Sequence, residues 1–330
     1  MYELKSSPIA GLLNAIRPCI VDVGARGGMD EELIAIAWAC SVYGFEPEPA
    51  EAAHLQEVAD QRRKSVKVLP YAVGGYSGRS TLYLPESEQG ASLLRHNPDM
   101  VERFGYENLH IVRKEISVET VTLDSLRESG SLPSVDYLKI DIEGAELDVL
   151  KSGRSVLNDC SVLKIECSFL PQRISQPLIW DVAPFMIDAG FDVVGILDIH
   201  RWRRRPLPGH PYMINHEMPY SRGQLAQCDL IFLRRPDTVT DPRRMAALAI
   251  MSAAFGYFDY AISAMRAMPG ASEYVLAEHG FNLESELGRW SVESGRTNLR
   301  KAIFQQLRTL VPQFRSLLGL LPYSKPAKPY

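Results

Sequence analysis

Val135-Asp136-Tyr137-Leu138-Lys139-Ile140-Asp141-Ile142-Glu143-Gly144-Ala145-Glu146 drives an apolar strand into a cluster of carboxylates and then turns on a glycine into a helical pattern. In open α/β sheets, ligands collect in the crevice outside the carboxyl ends of the strands. Asp141 and Glu143 therefore stand where a substrate or cofactor would sit. A structural alternative is open at this point: Asp141 caps the helix that follows, and the remaining acids are solvated helix residues. What separates the two is whether other strands deliver chemistry to the same crevice.

The surrounding sequence has the rhythm of a doubly wound α/β sheet, with short apolar runs each followed by glycine or acid and then by a helical pattern. Strands are expected at 19–24, 41–46, 66–73, 137–140, 161–166, 191–197 and 228–233, and helices at 31–39, 50–59 and 179–189. Two long connections, 74–134 and 201–227, break the alternation. The first holds extended runs at 80–84 and 116–123, and the second is rich in arginine, proline and aromatic residues. Connections of this length inside a compact domain are usually functional loops or linkers. Beyond 240 the pattern becomes helical, at 242–268, 272–279 and 297–321. The expected organisation is an α/β domain over 1–240 and a helical C-terminal appendage over 241–330.

Composition excludes several classes. A chain of 330 residues, 46% hydrophobic and 23% charged, can bury one large core and carry an appendage. Its formal charge of −4 argues against a general nucleic-acid binder, which needs a basic surface. Cys19, Cys40, Cys160, Cys167 and Cys228 are scattered, lack zinc-like spacing and read as reduced core residues. No apolar run reaches the roughly 18 residues that span a bilayer, and no basic head followed by an apolar stretch opens the chain. The expectation is a soluble, cytoplasmic protein.

The first strand ends in Asp22-Val23-Gly24-Ala25-Arg26-Gly27-Gly28. Glycines at a strand-to-helix turn let backbone approach a ligand closely. Their spacing is not the G-x-G-x-x-G of a pyrophosphate grip, and it suits a nucleoside that lacks a diphosphate. Glu46 closes the second strand, where an acid accepts hydrogen bonds from ribose hydroxyls. Simple loop chemistry would also explain the glycines alone. Their conjunction with Glu46 at adjacent strand ends favours a nucleoside site.

These blocks, with Gly44-Phe45-Glu46-Pro47-Glu48-Pro49, Leu123-Asp124-Ser125-Leu126 and Leu138 through Glu146 followed by Val149-Leu150-Lys151, resemble in order and spacing the FkbM family of S-adenosylmethionine-dependent methyltransferases. The resemblance spans residues 18–235, and Arg26 departs from it where many members carry asparagine. It implies the seven-stranded Rossmann-like sheet of class I methyltransferases, S-adenosylmethionine as donor, and O-methylation of a hydroxyl on a sugar, glycan or related natural product. Carried over by position, it puts Asp22, Gly24 and Gly28 around the methionine part of the donor and Glu46 on its ribose. Ala72 and Val73 would border adenine, Ser92 would lie near the donor, and Asp141 would face the methionine amine or the reacting hydroxyl.

Methyl transfer needs alignment of the acceptor and a place for its proton. Asp141 and Glu143 are the first catalytic candidates, with His200 and Glu166 behind them and Glu166 on the acceptor side. The carboxylates would permit a divalent cation without requiring one. Acceptor recognition falls to the loop after the sixth strand, with Trp202, Arg203, Arg204 and Tyr212 as candidates. Aromatic faces and guanidinium forks suit a sugar ring bearing phosphate or carboxylate, although a solvated basic loop would read the same way. Two other functions remain open: a nicotinamide-dependent oxidoreductase, and a non-catalytic module binding a glycan or lipid carrier.

The tail repeats apolar residues at seven-residue spacing, Ile303-Leu310-Leu317 and Leu307-Phe314-Leu321. Arg296, Arg300, Lys301, Arg308 and Arg315 surround this stripe, and no acid follows Glu293. Packing on the catalytic body, a homodimer seam and a basic amphipathic helix on a membrane all fit. Pro312 is expected to interrupt the helix.

Overall fold

The computed structural model describes residues 3–25, 30–62, 65–205 and 222–317. Among these described residues ten strands form two sheets: β1 (Cys19–Val23), β2 (Ser41–Phe45), β3 (Val66–Leu69), β4 (Ala72–Val73), β5 (Gly78–Pro85), β6 (Val112–Val121), β7 (Tyr137–Ile140), β8 (Val162–Ser168), β9 (Phe191–Trp202) and β10 (Gln224–Arg234). The main sheet has seven strands in the order β3-β2-β1-β7-β8-β10-β9, and β4-β6-β5 make a small second sheet. Neighbours from β3 through β8 pair in parallel, while β10 runs antiparallel to both β8 and β9. The order reverses between β1 and β7, so the ends of these two strands flank the crevice where such sheets bind ligands.

Two departures from the sequence pattern have local causes. The expected third strand divides at Pro70, which has no N–H to give to a ladder. Its first part stays in the main sheet, and Ala72–Val73 moves to pair with Thr120 and Val121. The expected helix at 31–39 is instead two 3-10 turns, Glu31–Leu33 and Ala37–Ala39. Leu33 and Ile36 are fully buried three residues apart, which matches the 3-10 period.

Helices cover both faces of the main sheet. On one face, α3 (Glu146–Ser152) and α4 (Ile179–Asp188) supply Leu147, Val149, Leu150, Val182 and Met186, which pack with Val21, Leu138, Ile140, Leu163 and Ile165. On the other lie α1 (Ile9–Ile16) and the C-terminal helices α5 (Pro242–Ala254), α6 (Phe258–Ala267), α7 (Pro269–His279) and α8 (Leu283–Leu317), while α2 (Pro49–Arg62) links β2 to β3. Helicity begins at Pro242 as expected, but the expected helix at 242–268 breaks at Gly256, whose φ of 85° suits glycine. The buried residues of α5–α8 share one hydrophobic cluster with Ile20, Tyr137, Val162, Ile231 and Leu233 of the sheet. The helices past residue 240 therefore close one face of the core. Pro312 does not end α8, which continues to Leu317.

Candidate active site

The sheet face under the C-terminal helices changes character along its strands. Ile20, Tyr137 and Val162 are followed two residues later on the same face by Asp22, Lys139 and Lys164, and antiparallel β10 places Asp229 two residues before Ile231. Burying this row requires pairing. Lys139 lies 3.5 Å from Asp22 and 3.3 Å from Asp141. Lys164 lies 2.9 Å from Asp30 and 3.1 Å from Asp229, and Tyr137 donates a 2.5 Å hydrogen bond to Asp30. Burial still dominates at Asp22, pushing its carboxyl up to about 7 against the attraction of Lys139.

At the carboxyl ends of these strands a cavity of about 400 Å³ opens. Its apolar side includes Phe45, Tyr71, Val73, Leu82 and Leu93, and its polar side carries Glu46, Asp141, Glu143, Glu166, His200 and Gln227. Gly24, Ala72 and Ser92 also line it. Gly24 has a φ of 93°, and a Cβ there would run into the carbonyl oxygen of Asp141. Glycine is thus required for the close approach of the β1 and β7 ends. Glu46 is buried at the end of β2, with one carboxylate oxygen accepting the Glu48 N–H at 3.0 Å.

The turn after β7 presents the acids. Glu143 adopts a left-handed conformation with φ of 62°, strained for a residue with a Cβ. Three side chains hold it there. Glu146 accepts the N–H of Gly144 at 2.8 Å and of Ile142 at 3.3 Å, the Ser92 hydroxyl donates to the Glu143 carbonyl at 2.8 Å, and Arg173 reaches the Glu143 carboxylate at 2.9 Å. Glu146 pays for this with a carboxyl raised by burial to about 7, despite the amides that lower it. Glu143 is also raised, by burial first, against the pull of Arg173. Across the cavity Gln227 donates to Glu166 at 2.6 Å. Burial and then the charge of Glu143 push the Glu166 carboxyl well above its usual range. One oxygen each from Asp141, Glu143 and Glu166 lies within 4.8 Å of the others, a grouping whose chemistry can hold a proton or a cation.

Of the residues singled out from sequence, Gly24, Glu46, Ala72, Val73, Ser92, Asp141, Glu143, Glu166 and His200 meet at this cavity. Asp22 lies beneath it, in the paired row. Trp202, expected to offer a stacking face to an acceptor, is buried among Met100, Phe104, Leu170 and Ala226, because the connection 74–134 folds over the end of β9. Arg203 and Arg204 are not among the cavity residues; Arg204 donates to Gln224 at 3.4 Å and lies over the Phe104 ring. Gly28 and Tyr212 fall outside the described residues. Sequence reasoning missed Arg173, Lys139, Glu146 and Gln227. A lysine inside an apolar strand was a signal for Lys139, since it must find a partner to be buried. Arg173 gave none, as it acts on a residue 30 positions away.

Comparison with known proteins identifies the family of the chain. The FkbM methyltransferase domain model matches residues 22–193, just over half of the chain. The 2-O-methyltransferase NoeI of Sinorhizobium fredii is 25% identical over 168 residues, covering 48% of this chain and 67% of that protein. The hexuronic acid methyltransferase AglP of Haloferax volcanii is 28% identical over 128 residues, covering 38% of this chain and 46% of that protein, so the chain spans less than half of this second relative. The crystal structure of an FkbM methyltransferase from Methylobacillus flagellatus aligns with a TM-score of 0.35 at 15% identity, over 65% of this chain and 44% of that one. The oxidoreductase and non-catalytic alternatives gain no support from these matches. This chain belongs to the FkbM methyltransferase domain family.

Proposed function

We propose that the chain transfers a methyl group from S-adenosylmethionine to a hydroxyl of a sugar or related glycan. The observation that carries this reading is the cavity itself, which combines a buried acid at the end of β2, an apolar side, and three clustered carboxylates at the ends of β7 and β8. That combination fits the donor: Glu46 suits a ribose diol, the wall with Ala72 and Val73 suits the base, and a carboxylate-rich end suits an ammonium and a sulfonium. The bound donor would supply an electrophilic methyl for in-line displacement. One relative is named a 2-O-methyltransferase, which favours an oxygen acceptor, and the other a hexuronic acid methyltransferase, which favours a sugar acid.

The chain's own residues then divide the work. Asp141, fixed by Lys139, faces the positive end of the donor. Glu143 accepts the proton of the acceptor hydroxyl, since burial lifts its proton affinity toward neutrality, where a general base works best. Arg173 orients that carboxylate, and Glu166, His200 and Gln227 border the acceptor. Asp141, Glu143 and Glu166 already face Lys139, Arg173 and Gln227, so turnover is expected to survive chelation of divalent cations.

Calorimetry with S-adenosylhomocysteine and with NAD tests the reading. Binding of the first alone, lost in Glu46→Ala, is the expected result. Binding of NAD alone, or of neither, would overturn it. Incubation with labelled donor and a panel of free and uronic sugars then reads the acceptor class by mass spectrometry.

A further inference from the structure

Helix α8 has two unlike halves. Its first turns carry Leu283, Leu287 and Trp290 into the core cluster shared with the sheet. From residue 298 to 304 every position is exposed, and Leu299, Ile303 and Leu307 have 62%, 50% and 56% of their surfaces in solvent. At about 100° per residue these three fall within about 80° of arc. Val292, also exposed, lies on the same stripe, and the sequence keeps this spacing at Leu310, Phe314 and Leu317. An apolar stripe of this kind on an ordinary surface helix would face a core.

The charge beside the stripe says what covers it. After Glu293 the sequence holds Arg296, Arg300, Lys301, Arg308, Arg315, Lys325 and Lys328 and no acid, so these last 37 residues carry +7 while the preceding 293 carry −11 of the total −4. A second copy of the helix would bring Arg300 and Lys301 against their own kind, with no acid in the stretch to pair them. A nucleic acid would satisfy the charge but has no use for a row of leucine and isoleucine. An anionic bilayer answers both features, since its surface attracts the basic side chains and its acyl boundary accepts the apolar face.

We propose that the outer half of α8 is an interfacial anchor that lays its apolar stripe into an anionic lipid surface and holds the methyltransferase body beside it. The anchor does not depend on which acceptor the active site takes, so it can fail without touching that reading, and the reverse.

Sedimentation of the full chain with vesicles tests it, using phosphatidylcholine alone and phosphatidylcholine mixed with phosphatidylglycerol. The chain is expected to pellet with the mixed vesicles only and to be released as salt is raised. Arg300→Glu with Lys301→Glu should weaken binding by roughly tenfold or more, because basic residues near such a surface supply the attraction. Ile303→Glu with Leu307→Glu should abolish binding with an unchanged unfolding midpoint, because neither side chain packs on the body. Failure to pellet, equal binding to neutral vesicles, or undiminished binding of the Ile303→Glu, Leu307→Glu chain would overturn the proposal. So would a dimeric mass by light scattering that this double variant reduces to a monomer, since a second copy would then be the occupant.

Discussion

Two halves of one sheet face lie two residues apart and do opposite things. Toward the amino ends of β1, β7 and β8, Ile20, Tyr137 and Val162 meet the C-terminal helices in a dry cluster. Toward the carboxyl ends, Asp22, Lys139, Lys164, Asp141 and Glu166 follow on the same strands and the same face. Burial of the first group stabilises the fold by the area it removes from water. The second group costs free energy to bury, and its members are retained where the sheet meets the cavity. A charge at a core position of a strand, repeated across neighbouring strands at the same depth, thus marks the border between packing and chemistry.

The sharpest way to break the charged half is Glu143→Gln. Removing the proton acceptor while keeping its shape should lower kcat on the order of a thousandfold, with donor affinity measured by calorimetry nearly unchanged. Lys139→Met comes next. It leaves Asp22 and Asp141 without their cation, and unfolding in urea should show a loss of about 3 kcal/mol at neutral pH. That loss should shrink toward pH 5, as Asp22 takes up the proton its burial already favours.

Glu146 tests the pH sign directly. Its folded pKa of about 7 lies above the ordinary value of 4.5, so its contribution is fully present below about 4.5 and is lost as pH rises through 7. Glu146→Gln keeps an oxygen for the amides of Ile142 and Gly144 and removes that loss. Relative to its standing at pH 5, the variant should gain about 2 kcal/mol on the native chain at pH 8. Arg173→Met has a smaller effect of another kind. Without the guanidinium, Glu143 holds its proton more tightly, and the acid limb of the kcat profile should move up by about one pH unit, with Arg173→Lys restoring part of the shift. An unmoved profile would reduce Arg173 to a strut.

The same contrast explains what could be read from the sequence. Asp141 and Glu143 were legible because they end an apolar run at a glycine, and Glu46 because it ends the neighbouring one. The last strand and the helical end were legible from patterning, whereas the antiparallel direction of that strand was not. Trp202 misled, because an aromatic beside arginines looks alike whether it faces solvent or the underside of a folded connection. Pro70 announced a break that the apolar run around it concealed. Arg173 and Ser92 hold the Glu143 turn from distant connections, and contacts of that kind leave no local pattern.

Ile231→Val probes the quiet half and is the smallest of these effects. Ile231 is buried on β10 beside Gly195 of β9, in the cluster that the C-terminal helices close. Deleting one methyl there should cost about 1 kcal/mol of stability. Its register partner on β8 is Lys164, so the change falls one strand pair from the charged row. If the two halves are energetically separate, kcat, KM and the pH profile should all match the native enzyme while the unfolding midpoint falls. A shift in the profile instead would mean that packing under the helices sets the spacing of Lys164, Asp30 and Asp229, and that the border between packing and chemistry is a continuous lattice.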